Sequence, residues 1–196
     1  MLNEQLLLAQ VAAGDEEALR RLYLDYRPRL RRYLWHQLDG DATSVEEALQ
    51  DVFLAVWRTA SGYRAEARVS TWLYQIAHNV ALSARRRLAR RPDSLWLNTS
   101  TNESDDNDVL HWTDIANDTL DDRVLNRLSL DDALDSLSPK HREVLSLVFQ
   151  HGFSLDEAAR ILDVPTGTVK SRISYARKAL LHQLTGASNE EVRHDA

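Results

Sequence analysis

The chain has 196 residues, with 24 lysines and arginines against 30 aspartates and glutamates, a formal net charge of −6 and no cysteine. That length holds one domain or two small ones, and 43% hydrophobic residues suffice for compact cores. The lack of cysteine excludes disulfide scaffolds, thiolate zinc sites and cysteine nucleophiles, and no run of about 18 apolar residues is present to span a membrane. The first residues, MLNEQLLLAQVAAGDEE, have no basic n-region and do not read as a secretory signal, so the expectation is a cytoplasmic protein without membrane insertion.

Glycines and prolines fall almost entirely between periodic runs and leucine is abundant, which predicts helices throughout. Residues 15–37 read as a helix capped by Asp15, with Glu16 and Glu17 in its first turn and Pro28 placed to bend or interrupt it. Residues 44–58 give the clearest helix. Ser44 and Glu47 have capping-box spacing, and Val45, Ala48, Leu49, Val52, Phe53 and Val56 form one apolar stripe. After a loop at Gly62, Ser70 or Thr71 opens a long helix to about Arg87, with Leu73, Ile76, Ala77, Val80 and Ala84 as its buried stripe. Periodicity then weakens. LNTSTNESDDNDV has linker chemistry, a short helix is expected around 114–130, and helical pattern resumes at LDDALDSL. The sequons at Asn98, Asn102 and Asn117 carry no weight without a secretion signal, and Asp105, Asp106 and Asp108 lack the glycine and closing glutamate of a calcium loop. Ser138–Pro139 starts a helix that Gly152 ends, and Ser154 with Glu157 caps the next. DVPTG then leads into a basic helix from about Thr166 to Leu184, and the tail after 185 is expected to be disordered.

The net charge hides an alternation. Residues 68–91 hold six arginines and no acid, residues 164–185 hold Lys170, Arg172, Arg177 and Lys178 and no acid, and residues 39–57 hold five acids and no base. Two basic stripes separated by an acidic connector point to two places that hold polyanion, against the alternative of ordinary solvated helix faces.

Residues 154–180 fit a helix-turn-helix. Ala158 and Ala159 are small where two helices cross, Ile161, Leu162 and Val164 fill the junction, and Val169 and Ile173 bury the second helix. Thr168, Lys170, Ser171, Ser174, Tyr175, Arg177 and Lys178 are left outside, suited to a major groove. Residues 61–87 form a second constellation. Tyr63, Trp72 and Tyr74 stand beside Gln75 and Asn79, with arginines downstream, a platform for unstacked bases. Taken alone, core packing is the better explanation of these aromatics, Tyr74 above all.

On these motifs the chain resembles a bacterial sigma factor of the extracytoplasmic-function (ECF, group 4) class. EEALQDVFLAVWR (46–58) is similar to the polymerase-binding part of region 2, VSTWLYQIAHNVALSARRR (69–87) to the part that melts and reads the −10 element, and residues 137–180 to region 4 with its −35-reading helix-turn-helix. The likeness covers roughly 10–90 and 130–185. It implies an all-α chain of two small helical domains: region 2 at 1–91, an acidic flexible linker at 92–129, region 4 at 130–185 and a tail at 186–196.

The resemblance implies that Glu47, Gln50, Asp51 and Leu54 dock on the clamp helices of core RNA polymerase, whose flap the chain also contacts. Tyr63, Arg64 and Arg68 would capture a flipped −10 base. Trp72 would hold the point of strand separation, Gln75 and Asn79 would meet exposed bases, and Arg85, Arg86 and Arg87 would hold backbone. Lys170, Ser171, Ser174 and Tyr175 would read the −35 element, with Thr168, Arg172, Arg177 and Lys178 on phosphates. The partners implied are core polymerase, promoter DNA and an anti-sigma factor able to recruit the chain to a membrane; no cofactor, metal or catalytic residue is implied. Leu82 and Ser83 depart from the acidic residue many relatives carry after the asparagine. The long acidic linker is either a nucleic-acid mimic for the RNA channel or a tether. A self-sufficient dimeric helix-turn-helix regulator is the rival reading. A hydrolase is disfavoured, since no Gly-x-Ser-x-Gly, P-loop or metal-spaced histidine pair is present.

Overall fold

A computed structural model describes residues 4–90 and 137–191. The linker, its sequons, the helix expected around 114–130 and most of LDDALDSL lie outside the described residues, as do residues 192–196. The described residues form helices α1 (Glu4–Ala12), α2 (Glu16–Gln37), α3 (Ala42–Thr59) and α4 (Val69–Ala89), then α5 (Pro139–Leu145), α6 (Leu155–Leu162) and α7 (Thr166–Glu191). No strand occurs among them.

Helix α1 was not legible as an element of its own. It places Leu7, Leu8 and Val11 in the core with Ala18 and Leu22 of α2, and the Tyr26 hydroxyl donates to Glu4 Oε1 at 2.8 Å. Helix α2 starts where expected, with the Asp15 carboxylate accepting from the backbone N–H groups of Glu17 and Ala18. Pro28 does not interrupt it, because the position is exposed. The carbonyl that loses its partner is that of Leu24, also exposed, and water can serve it. Helix α3 begins two residues before the expected Ser44. Asp41 is the N-cap, accepting from the Ser44 N–H at 3.2 Å, and Ser44 is itself buried. All six residues of the predicted α3 stripe are buried. In α4, Leu73, Ala77 and Ala84 are buried as expected, while Ile76 and Val80 are half-buried and Tyr74, His78 and Ala81 complete the inner face.

In the C-terminal half α5 runs on through a π turn, Ser146–Gln150, to Gly152, whose φ of +72° gives a left-handed stop that suits glycine. The Ser154 cap forms as read: its hydroxyl accepts the Glu157 N–H at 3.2 Å and Glu157 returns to the Ser154 N–H at 2.9 Å. Helix α7 passes through Gly186 to Glu191, so the tail expected to be disordered from 186 is helical for six residues more. One glycine costs a helix only about 1 kcal/mol and does not end it without a capping partner.

The two halves are not separate bodies. One buried cluster runs from α1–α4 into Val144, Leu147, Phe153, Ala158, Ala159, Ile161, Leu162 and Val169. His151 is part of this junction. Its ring centroid lies 5.0 Å from that of Tyr74 and 6.0 Å from that of Tyr33, and its Nδ1 is 2.9 Å from the Tyr74 hydroxyl. Burial, reinforced by Arg29, Arg32 and His36, lowers its pKa from 6.5 to about 4. The folded chain thus refuses a proton that the unfolded chain accepts. The stability this confers is complete above pH 6.5 and is lost as pH falls toward about 4. Thermal melts should show a lower midpoint at pH 5 than at pH 7.5, with a loss of up to about 1.4 kcal/mol per pH unit in that window. His151→Phe should flatten the dependence; an unchanged pH slope in that variant would show that His151 does not cause it.

Candidate nucleic-acid interface

Helices α6 and α7 meet across a turn built by three features. Asp163 takes a left-handed conformation (φ 52°), its neighbour Val164 donates to the Ala159 carbonyl at 3.1 Å, and the Pro165 carbonyl accepts from the Thr168 and Val169 N–H groups. Ala158 and Val169 are fully buried at the crossing. The Thr166 hydroxyl donates to Asp156 Oδ1 at 3.0 Å, tying the starts of the two helices together. Ile173 is half-buried, and the inner face of α7 is completed by Ala176 and Leu180, which pack with Leu137 and Leu145.

That packing decides what α7 presents. At about 100° per residue, Ser171, Ser174, Tyr175 and Lys178 lie opposite the buried stripe, with Lys170 and Arg177 on one rim and Thr168 and Arg172 on the other. Lys170, Ser171, Tyr175 and Lys178 are exposed, Tyr175 by 61%. Thr168, Arg172, Ser174 and Arg177 are half-buried. Arg172 is half-buried, its Nε shielded and without a hydrogen-bond partner. The Ser171 hydroxyl donates to the Thr168 carbonyl at 3.0 Å, leaving its lone pairs outward.

Sequence reasoning missed His141. Its ring stacks on Tyr175 with centroids 4.7 Å apart and planes 19° from parallel, and its Nδ1 is 2.8 Å from the Ser138 hydroxyl. Only a 34-residue separation joins the two in the chain, and no helical period signals it.

The second surface lies on α4 and the loop before it. Trp72, Gln75 and Asn79 share a face, as the spacing predicts, and Arg86 continues that row. Gln75, Asn79, Arg86 and Arg87 are exposed, Trp72 and Arg85 half-buried. Tyr74 is fully buried, which settles it as a packing residue. Tyr63 is half-buried, its ring 5.5 Å from that of Trp72, and its hydroxyl donates to the Ala67 carbonyl at 2.6 Å. That bond closes the loop around Ala65, which is held at φ 56°. Arg64 and Arg68 are exposed on the loop.

The third surface is the row Glu47, Gln50, Asp51 and Leu54 on α3, all exposed, Leu54 by 51%. Arg87 reaches Glu47 at 3.7 Å, so one of the three arginines expected to hold backbone also pairs with this acidic row. Neighbouring Glu46 is held by Arg31 at 2.9 Å and Arg27 at 3.7 Å, which fastens α3 to α2.

The structure also brings α6 against the loop before α4. Glu157 lies 3.6 Å from Arg68 and 3.4 Å from the Thr71 hydroxyl, and Arg160 donates to the Glu66 carbonyl at 3.2 Å. Burial works to raise the Glu157 pKa, but the Ser154 N–H and hydroxyl, Arg68 and Thr71 outweigh it and hold the carboxyl below its usual range. Among the described residues no cluster of histidines and carboxylates could hold a metal ion, and no helix is long and apolar enough to cross a membrane.

Comparison with known proteins recognises both halves of the chain. Residues 22–91 match the family described as Sigma-70 region 2, and residues 133–182 match Sigma-70, region 4. The chain is similar to ECF RNA polymerase sigma factor SigL of Mycobacterium tuberculosis, 33% identical over 170 residues that span 86% of this chain and 90% of that protein. It is also similar to ECF RNA polymerase sigma factor SigM of the same species, 34% identical over 97% of this chain and 88% of the relative. Among solved structures, the sigma factor RpoE in complex with the anti-sigma factor NepR from Bartonella quintana is 25% identical, with a TM-score of 0.60 over 85% of this chain and 96% of that one. CnrH in complex with the cytosolic domain of CnrY shares the fold, with a TM-score of 0.64 at 24% identity, over 93% of this chain and 97% of that one.

Proposed function

The chain belongs to the ECF family of RNA polymerase sigma factors, and from that premise we propose that it binds core polymerase in the bacterial cytoplasm and chooses where transcription starts. Helix α7 reads the −35 element. Ser171, Ser174, Tyr175 and Lys170 meet base edges, with Thr168, Arg177 and Lys178 on phosphates and Arg172 in a lesser part. The 62–70 loop and the outer face of α4 take the −10 element. Tyr63, Arg64 and Arg68 capture an unstacked base, Trp72 caps the duplex end, Gln75 and Asn79 meet exposed bases, and Arg85 and Arg86 follow the backbone. The α3 row Glu47, Gln50, Asp51 and Leu54 docks on the clamp helices of polymerase, and α5 faces the flap. No bond is made or broken by the chain. Binding energy offsets base unpairing, at a few kcal/mol per flipped base, and polymerase raises the effective concentration of the second site once the first is engaged. An inhibitory partner of the kind that RpoE of Bartonella quintana binds fits the same reading.

The observation that carries this proposal is the outer face of α7: a helix without an acid from Thr166 to Asn189, packed by Val169, Ala176 and Leu180, that turns serines, lysines and a 61%-exposed tyrosine outward. The direct test is run-off transcription with core polymerase. The full chain should start synthesis at discrete sites; failure to redirect polymerase would end the proposal. Lys170→Ala with Tyr175→Ala should lose preference for the native −35 sequence over a substituted one by roughly tenfold, since one good base contact is worth about 1–3 kcal/mol. Preference equal to wild type would show that α7 is not the reader.

A further inference from the structure

A tyrosine on the open face of a helix reads sequence poorly unless something aims it. Tyr175 lies opposite the buried stripe of α7 and is mostly exposed, so the core of its own module does not fix the ring. More than one staggered χ1 position is open to such a side chain, and each carries the phenol hydroxyl to a different place. The stack on His141 selects among them. The ring centroids are 4.7 Å apart with planes 19° from parallel, a contact that shrinks as soon as the phenol swings away.

Holding α5 against α7 does not require this stack. Leu137 and Leu145 already pack with Ala176 and Leu180, and all four are buried. His141 is half-buried and its partner more open still, so the pair adds little to that burial. The imidazole is braced in its turn. Ser138 is the N-cap of α5, where a serine hydroxyl ordinarily accepts from a backbone N–H two or three residues on. Here it makes no such bond, and the hydroxyl lies 2.8 Å from His141 Nδ1 instead. The one side chain placed to cap the helix is turned to the direction of a ring. Ser138, His141 and Tyr175 thus form a line of contacts from the start of α5 to the outer face of α7.

We propose that His141 is a positioning residue for −35 recognition, aiming the Tyr175 phenol at one base-pair edge, with Ser138 orienting the imidazole. The inference rests on the reading of α7 given above. His141 acts through the tyrosine and meets no base itself. Its loss leaves the phosphate contacts in place, and these hold duplex of any sequence. What falls is the contact with the correct edge, and with it the margin over an incorrect one.

A double-mutant cycle on the full chain with core polymerase tests this. Run-off transcription maps a start site, and templates carrying each single base-pair substitution of its −35 element then measure preference. Tyr175→Ala should become indifferent at one position. His141→Ala should lose preference at that same position by about three- to tenfold, the worth of one aromatic pair, with the thermal midpoint of wild type. His141→Phe keeps a flat ring and should recover most of the loss. In the Tyr175→Ala background, His141→Ala should change nothing further. Ser138→Ala should shift preference the same way by about twofold, without the drop in helix stability that removal of a capping serine brings. Wild-type preference in His141→Ala beside an altered Tyr175→Ala overturns the positioning role. So does an equal loss at every −35 position, an undiminished effect of His141→Ala once Tyr175 is gone, or a lowered midpoint in His141→Ala, which would make the ring a packing residue. Wild-type preference in Tyr175→Ala itself would instead overturn the reading of α7.

Discussion

Replacing Trp72 by alanine should leave association with core polymerase intact and reduce promoter opening, followed by permanganate reactivity of thymines in the −10 region, by roughly ten- to a hundredfold. Trp72 is positioned by structure rather than by chance exposure. It is half-buried at the start of α4, braced by the tilted Tyr63 ring at 5.5 Å, while that tyrosine is itself fixed by its hydroxyl on the Ala67 carbonyl. A braced indole loses little freedom when a base lands on it, so most of the stacking energy, about 1–3 kcal/mol per base, is available to hold the open strand. Trp72→Tyr should recover much of the opening, because it restores an aromatic face. Wild-type opening in Trp72→Ala would remove the stacking role; loss of polymerase association in the same variant would show instead that the helix had been damaged.

The second large effect separates two leucines on one helix. Leu49 is 1% exposed and sits in the stripe that joins α3 to α2 and α4, whereas Leu54 is 51% exposed in the row with Glu47, Gln50 and Asp51. Leu49→Ala should cost about 2–5 kcal/mol of folding stability through lost burial and the cavity left behind. Leu54→Ala should leave the thermal midpoint nearly unchanged, within about 0.5 kcal/mol, as exposed substitutions generally do. It should weaken polymerase binding by roughly tenfold, the scale of a central apolar contact in an interface. Titration of both variants against labelled core polymerase, with melts run in parallel, distinguishes the two. Should Leu54→Ala bind as well as wild type, the α3 row is not the docking surface.

Local rules were legible from sequence where one rule governed one residue. Periodicity identified the whole buried stripe of α3, and the Ser154–Glu157 capping box and the glycine stop at 152 follow from spacing alone. Reading failed where two acceptable answers were adjacent or where a residue serves twice. Asp41 and Ser44 are both good caps, and the first takes the role. Pro28 was read by its missing N–H, but its exposure, which makes the loss tolerable, is set by packing. Glu157 was fully explained as a capping residue, and that explanation concealed its approach to Arg68, 89 positions away in sequence. Glu143, His78 and His151 were scattered polar residues until α5 was laid against α2 and α4. Contacts between distant segments leave no periodic trace in the chain.

The His141–Tyr175 stack has a consequence for preorganisation. Because α5 supplies a flat surface against which the tyrosine already rests, its rotamer is selected during folding rather than at each encounter with a promoter. On the proposed reading of α7 the ordering penalty is met before DNA arrives, so more of the contact energy is left for affinity. On that reading the stack also couples α5 to base contact. Whatever grips α5 and shifts it by a fraction of a ring width would retune the tyrosine, giving a holoenzyme component a route to alter promoter choice without touching DNA.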